Sequence, residues 1–103
     1  MRLLAVLAAA LWLGGAGAVP DMTVIIDNFA FGPAEITVPS GTMVVWTNRD
    51  DIPHTVTSAD MPRVFKSEVL DTDAHFSHRF SQPGRFAYFC SLHAHMQGAI
   101  VVK

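Results

Sequence analysis

The chain has 103 residues and a formal net charge of −2, with seven Lys/Arg against nine Asp/Glu. This length suits a single domain. A slightly acidic chain without clustered basic residues argues against a nucleic-acid partner. Cys90 is the sole cysteine, so no disulfide can form within the chain, and the thiol is either free or occupied by another group such as a metal.

Residues 1–18 have the pattern of a secretory signal peptide. A short positive start precedes an almost unbroken apolar run over residues 3–13, and Ala16 and Ala18 supply an A-x-A cleavage pattern. The alternative is an uncleaved membrane anchor, but the run is short for a bilayer span and ends in glycines. We expect cleavage after Ala18, which leaves residues 19–103 as an exported, for example periplasmic, domain with no membrane span.

Short β patterns follow one another through the rest of the chain, separated by Gly, Pro and polar turn residues. They cover residues 23–27, 35–39, 42–48, 54–58, 76–80, 86–90 and 98–103. A polar, irregular stretch over residues 59–74 interrupts them, and no helical periodicity of useful length occurs after the first 18 residues. The pattern predicts an all-β sandwich or barrel, with a core built from Trp46, Phe76, Phe80, Phe86 and Tyr88.

The densest chemical information lies between Cys90 and Met96. A thiolate, two imidazoles and a thioether occur within seven residues, in the order Cys90-Ser91-Leu92-His93-Ala94-His95-Met96. Soft sulfur ligands combined with imidazole suit copper, above all a copper that must exist as both Cu(I) and Cu(II). We interpret this stretch as a tight loop between two strands that offers several ligands to one metal.

A rigid site needs a further ligand from elsewhere in the chain, and His54 is the best candidate. It follows Pro53, whose fixed φ stiffens the approach, and it begins a predicted strand. Two His and one Cys with a weak axial Met form the ligand set of type 1 (blue) copper.

Each of these residues also has a plainer interpretation. In that interpretation, Cys90 would be a buried free thiol, Met96 would pack in the core, and His54 would be an exposed histidine at a strand end. His95, beside Met96, is able to compete for the metal, although we favour an exposed role around the site or in docking. Two further histidines and four aspartates are interpreted as structural or solvated. His78 is expected to be partly buried and His75 solvated, and Asp50 and Asp51 with Asp71 and Asp73 are expected on the solvated surface.

Two segments together resemble the cupredoxins. One is Trp46-Thr47-Asn48-Arg49-Asp50-Asp51-Ile52-Pro53-His54-Thr55-Val56, and the other runs from Pro83 through Cys90 into the ligand loop. The C-x₂-H-x₂-M spacing resembles the amicyanin branch most closely, and plastocyanin and pseudoazurin are similar but place Met further away. The resemblance extends from about Thr23 to Lys103.

The resemblance implies a Greek-key β-sandwich of about seven to eight strands, with one type 1 copper per chain and one-electron transfer. Carried over by motif, His54 and His93 are the nitrogen ligands, Cys90 is the thiolate ligand and Met96 is the axial ligand. The sequence departs from the family pattern in three places. Leu92 and Ala94 stand where amicyanin-like loops usually have prolines, and Thr55 stands where Asn often bonds across to the other ligand loop; the Thr55 hydroxyl is able to make a similar bond.

The function expected from these features is an electron carrier. The resemblance implies that one edge of His93 reaches the surface within an apolar patch, and candidates for that patch are Leu92, Ala94, Pro53 and Met61. Transient redox proteins such as a dehydrogenase, cytochrome or oxidase would dock there, with the chain itself a monomer.

Two other functions compete with the electron carrier. An enzyme of this fold would need additional paired histidines and a substrate pocket, and we expect no enzyme. A copper carrier or buffer that donates its metal is the second alternative.

Overall fold

The computed structural model describes residues 19–103, which form eight β-strands. In chain order these are β1 Met22–Asp27, β2 Ala30–Gly32, β3 Glu35–Val38, β4 Thr42–Asn48, β5 Thr57–Ser58, β6 His75–Phe80, β7 Gly84–Cys90 and β8 His93–Val102. The predicted signal peptide lies outside the described residues.

The strands form two four-stranded sheets. One sheet has the order β2-β1-β4-β6 and the other the order β3-β8-β7-β5. The β1–β4 and β3–β8 pairs are parallel, and the remaining neighbours are antiparallel. The predicted all-β sandwich is therefore confirmed, with eight strands. Among residues 19–103, no helix has the length and apolar character needed to cross a bilayer.

The core lies between the two sheets because side chains alternate along each strand. On β4, Thr42, Val44, Trp46 and Asn48 point inward and are buried, while the residues between them are half-exposed. Trp46 meets the opposite sheet at Tyr88, edge to face, with ring centroids 5.3 Å apart. All five aromatic residues predicted for the core belong to it: Trp46, Tyr88 and Phe80 are buried, and Phe76 and Phe86 are partly buried against them.

The strand pattern differs from the prediction near the chemically dense segment. Strand β8 begins at His93 rather than at residue 98, so the expected loop is largely a β-hairpin. Phe89 pairs with Gln97, whereas Cys90 pairs with His93. Ala94, His95 and Met96 therefore form an extra three-residue bulge in β8, which re-aims side chains at the strand end.

The predicted strand over residues 54–58 is also shorter than expected, because only Thr57–Ser58 pairs as β5. His54 instead makes an isolated antiparallel bridge to Leu70, and Thr57 bridges to Lys66. Part of the irregular stretch over residues 59–74 thus runs antiparallel to residues 54–57, beside His54. Strand β2, which is three residues long, was not predicted, since Asn28 and Gly32 indicated a turn.

Candidate metal centre

His54 is held in place by its backbone. Its N–H donates to the Leu70 carbonyl at 3.1 Å, and the Leu70 N–H donates back to the His54 carbonyl at 2.8 Å. These bonds place the His54 side chain inside the sandwich, where it is fully buried. The backbone of His54 is therefore fixed by its pairing with Leu70.

Cys90 reaches the same place from the other sheet. It is the last residue of β7, on the same inward face as Phe86 and Tyr88, and it is fully buried. The tight turn after it returns the chain to His93, which pairs with Cys90 and is half-buried.

The structure thus brings together three of the four predicted ligands. The Cys90 Sγ lies 3.7 Å from His54 Nδ1 and 3.8 Å from His93 Nδ1. All three donor atoms lie within 4.8 Å of one another. One sulfur and two imidazole nitrogens at this separation can bind a single ion, and the set fits copper.

The surroundings of Cys90 favour its thiolate form. Burial would raise the pKa of the thiol, but hydrogen bonds from the Thr55 N–H, the two histidine rings and the Leu92 N–H outweigh it and lower the pKa to about 6. A thiolate is the form that binds a metal. The protein is therefore prepared to present an anionic sulfur at neutral pH.

Thr55 joins the two segments that carry the donors. Its backbone N–H donates to Cys90 Sγ at 3.3 Å, and its Oγ1 accepts the Ser91 N–H at 2.7 Å. The Thr55 and Ser91 hydroxyl oxygens are a further 2.8 Å apart. The Thr55 hydroxyl thus makes the bond across to the other ligand loop that Asn often makes in the family, as the sequence allowed.

Met96 and His95 lie in the bulge and differ in burial. Met96 is 2% exposed and belongs to the same apolar cluster as Cys90. His95 is exposed, and its ring stacks on Phe29 with centroids 6.4 Å apart. The axial role of Met96 stays a prediction, but its burial beside Cys90 agrees with it.

The two remaining histidines lie on β6. His75 is exposed, as expected, and His78 is half-buried, with Phe65 and Phe80 on either side at centroid distances of 5.1 and 4.8 Å. Burial lowers the pKa of His78. Both histidines are separate from the donor cluster.

Sequence reasoning was wrong about Asp50. It was expected on a solvated surface with Asp51, yet Asp50 is 7% exposed and its Oδ2 lies 2.8 Å from His54 Nε2. No local pattern in the sequence distinguishes Asp50 from the adjacent Asp51, because the contact with His54 forms in an irregular segment. Phe29 was also missed: its ring lies edge-on to His54 at 5.8 Å and to His93 at 5.1 Å.

Apolar residues surround the half-buried edge of His93. Leu92 is 49% exposed and Phe29 is 44% exposed, and Pro53 and Ala94 are exposed as well. Met61, another predicted member of this patch, is 78% exposed on the irregular stretch after β5.

The two sheets and the Cys-His-His cluster at one end define a small β-sandwich protein with a metal centre. A family model described as a cupredoxin-like domain matches residues 1–102, and the chain belongs to this family. The resemblance stated from the sequence is thereby confirmed, and the cofactor of the site is copper.

Similar proteins agree with this assignment. Amicyanin-alpha of Methylorubrum extorquens is 32% identical over 81 residues, which cover 76% of this chain and 68% of the relative. The solved structure of a novel purple cupredoxin from Nitrosopumilus maritimus has a TM-score of 0.75 and 33% identity, covering 81% of this chain and all of that one. An amicyanin variant in its reduced Cu(I) form at pH 4 has a TM-score of 0.76 and 26% identity, covering 84% and 85% of the two chains. Plastocyanins are also among the relatives, and together these relatives indicate a cupredoxin electron carrier.

Replacing Thr55 with Val tests the link between the two donor segments. The change keeps the side-chain shape but leaves the Ser91 N–H without its acceptor, so we expect the free energy of unfolding of the metal-free protein to fall by about 1–3 kcal/mol. Urea denaturation measures this loss, and hydrogen exchange at the Ser91 amide should become faster.

Thr55→Ser retains the oxygen and should lose much less stability than Thr55→Val. Thr37→Val, on an exposed position of β3, controls for the change of a threonine to valine. If Thr55→Val cost no more than Thr37→Val, the cross-loop bond would not hold the donor segments together.

Proposed function

We propose that this chain is a type 1 copper protein that carries single electrons between redox partners and is not an enzyme. His54 and His93 are the nitrogen ligands, Cys90 is the thiolate ligand and Met96 is the axial ligand. The observation that carries the proposal is the convergence of one sulfur and two nitrogens within 4.8 Å. Copper in such a site supplies one-electron chemistry between Cu(II) and Cu(I).

The polypeptide supports this role by holding its donors still. His54 is fixed through Leu70, and Cys90 is fixed through Thr55 and by its place in β7. Donors that stay in place on gain or loss of an electron keep the reorganisation small. The two sheets act as the rigid support for these side chains.

The route for the electron and the docking surface follow from the exposure of the donors. His54 and Cys90 are fully buried, whereas the His93 ring is half-buried. His93 is therefore the donor that lies nearest to a docked partner. The apolar patch formed by Phe29, Pro53, Leu92 and Ala94 suits a small, transient interface, and the chain works as a monomer.

Visible absorption tests the ligand set. Loading the protein with Cu(II) should produce an intense thiolate-to-copper charge-transfer band, and Cys90→Ser should remove that band because no other cysteine exists in the chain. Near-ultraviolet circular dichroism of the metal-free variant should still show a folded domain, since the aromatic core is unchanged.

An intense band in the Ser variant, or none in the wild type, would contradict the assignment.

Copper exchange separates an electron shuttle from a copper carrier. A shuttle retains copper through repeated redox cycles in the presence of a competing chelator, whereas transfer of the metal to the chelator within seconds would favour a copper carrier or buffer.

The axial role of Met96 is tested by Met96→Leu. This swap nearly conserves volume, so the fold should lose less than about 1.5 kcal/mol. Removing a weak sulfur donor disfavours Cu(II) more than Cu(I), so we expect a higher reduction potential, by about 59 mV for each tenfold change in relative affinity. Voltammetry measures the shift.

Met22→Leu on β1 is the matched control for the loss of a methionine, and His95→Ala is the competitor control. Both should leave the potential nearly unchanged. If His95→Ala moved the potential and Met96→Leu did not, the axial role would pass to His95.

We also propose that the chain is exported, with a signal peptide at residues 1–18 removed after Ala18. The support is the positive start, the apolar run and the A-x-A pattern. When the full chain is expressed in a Gram-negative host, the periplasmic protein should begin at Val19 by N-terminal sequencing. A protein that starts at Met1 and stays with the membrane fraction would indicate a retained anchor instead.

A further inference from the structure

A half-buried histidine lies on the core-facing side of β6, apart from the donor cluster. His78 pairs with Val44, which is a buried, inward residue of β4. Residues directly opposite one another on antiparallel strands share a face of the sheet, so His78 also faces the space between the two sheets. Since β6 is an edge strand, an ionisable ring lies where the core meets the side of the sandwich.

Two phenylalanine rings enclose the imidazole. Phe80 of β6 meets the His78 ring edge to face at a centroid distance of 4.8 Å. Phe65, from the irregular stretch over residues 59–74, lies against the same ring at 5.1 Å. Among residues 19–103, the histidine rings that form hydrogen bonds are those of His54 and His93. His78 therefore packs as an uncharged aromatic ring.

Phe65 connects the two sheets at this side of the sandwich. Its ring is buried and also packs on Trp46 of β4, at 5.7 Å. Its backbone is bonded to the opposite sheet, because the Phe65 carbonyl accepts the Ser58 N–H of β5 at 3.0 Å. The neighbouring Val64 N–H donates to Ser58 Oγ at 3.2 Å. The stretch is thus hydrogen-bonded to β5 and reaches β6 through aromatic packing on His78.

The charged groups around His78 do not compensate a charge on its ring. Strand β4 has no charged residue, and Arg85 of β7 is paired with Glu35 at 3.1 Å. The titratable side chains of the irregular stretch and the others of β6 are exposed, and within residues 19–103 none of them forms an ion pair with His78: Asp60, Arg63, Lys66, Glu68, Asp71, Asp73, His75 and Arg79. Cation–π attraction to the two phenylalanines favours the charged ring, whereas burial lowers the pKa of His78.

A small cavity beside His78 gives a charged ring access to water. Its volume is about 170 Å³, and Val64, Gln82 and Phe86 line it together with His78. Because the ring is already half-buried, a turn of the side chain into this cavity brings it to solvent. The same turn withdraws the imidazole from Phe65.

We propose that His78 is a pH-sensitive latch of the irregular stretch. The neutral ring holds Phe65 on β6, and the protonated ring leaves the two phenylalanines and lets Val64 and Phe65 open away from the sandwich. The latch goes beyond the proposed function and does not depend on copper, since its residues are separate from the donor cluster.

The direction of the pH effect follows from proton linkage. In the open or unfolded chain, His78 takes up its proton near the ordinary value of about 6.5, whereas burial shifts uptake by the closed form to lower pH. Below about pH 6.5 the open form therefore binds more protons, and opening becomes more favourable as the pH falls. The effect levels off once the closed form is protonated as well.

The first experiment is an NMR titration of the metal-free protein. The His78 ring protons should titrate at lower pH in the folded chain than in the same chain unfolded in urea. Titration at the same or a higher pH in the folded chain would overturn the proposal.

The second experiment follows amide hydrogen exchange in the metal-free protein as the pH is lowered, expressed as protection factors. The Ser58 N–H, which donates to Phe65, should lose protection by up to tenfold per pH unit below about pH 6.5. The Ala99 N–H, which donates to the Ala34 carbonyl at 2.9 Å near β3, should keep its protection. Equal loss at Ala99 would mean that the whole domain opens, which would overturn a local latch.

Matched variants assign the effect to His78. His78→Phe keeps an aromatic ring that cannot be protonated, so protection at Ser58 should no longer change with the protonation of this position. His75→Phe removes the exposed imidazole of the same strand and should retain the wild-type loss. All other titratable groups, including His54 and His93, are common to both variants, so the difference between them isolates His78.

The latch is wrong if His78→Phe loses protection at Ser58 as steeply as His75→Phe does. Should the larger ring fail to fold, His78→Gln gives the same test. Its protection at Ser58 should be lower than in the wild type at neutral pH, and a further fall in acid equal to that of His75→Phe would again overturn the proposal.

Discussion

The centre depends on one pair of hydrogen bonds between segments 35 residues apart. The Thr55 N–H donates to Cys90 Sγ, and the Thr55 hydroxyl accepts the Ser91 N–H. Because His54 precedes Thr55 and Cys90 precedes Ser91, these bonds bring a nitrogen donor and a sulfur donor together. The first of these bonds also stabilises the thiolate, since donation from the Thr55 N–H to sulfur opposes the effect of burial on the pKa of the Cys90 thiol.

The β-sandwich holds the sulfur end of this link in place. Cys90 continues the inward face of β7 beyond Phe86 and Tyr88, and Tyr88 packs against Trp46 of the opposite sheet. The sulfur is therefore an extension of the aromatic core rather than a side chain on a free loop. His93 begins the adjacent strand β8, and its ring is half-buried. The centre is therefore buried on the side of the core and accessible to solvent on the side of His93.

The fold could largely be predicted from the sequence because its strands are short, regular and bounded by turn residues. Strand β4 was predicted with its observed bounds, and the aromatic core followed from alternation. The extent of β8 could not be predicted, because the bulge at Ala94, His95 and Met96 depends on pairing with β7, a long-range contact without a local signal.

Sequence reasoning identified the three clustered Cys and His side chains but not the residues that surround them. Cys90, His93 and His54 were chosen for their chemistry, and the structure brings these three together. Asp50 was assigned to the surface because composition alone cannot distinguish it from Asp51, and its burial follows from the Asn48 and Thr72 contacts made only in the folded chain. Phe29 was missed for a similar reason, since its position over the histidines depends on a turn with positive φ at two non-glycine residues.

The central claim is that the polypeptide holds one sulfur and two nitrogens around a single copper in an arrangement that survives electron transfer. X-ray absorption at the copper edge, recorded on the oxidised and the reduced protein, tests this claim most directly. The account predicts one short copper–sulfur and two copper–nitrogen distances in both states, with little change between them. Loss of the short sulfur distance, a first shell of oxygen and nitrogen alone, or a large rearrangement on reduction would contradict it.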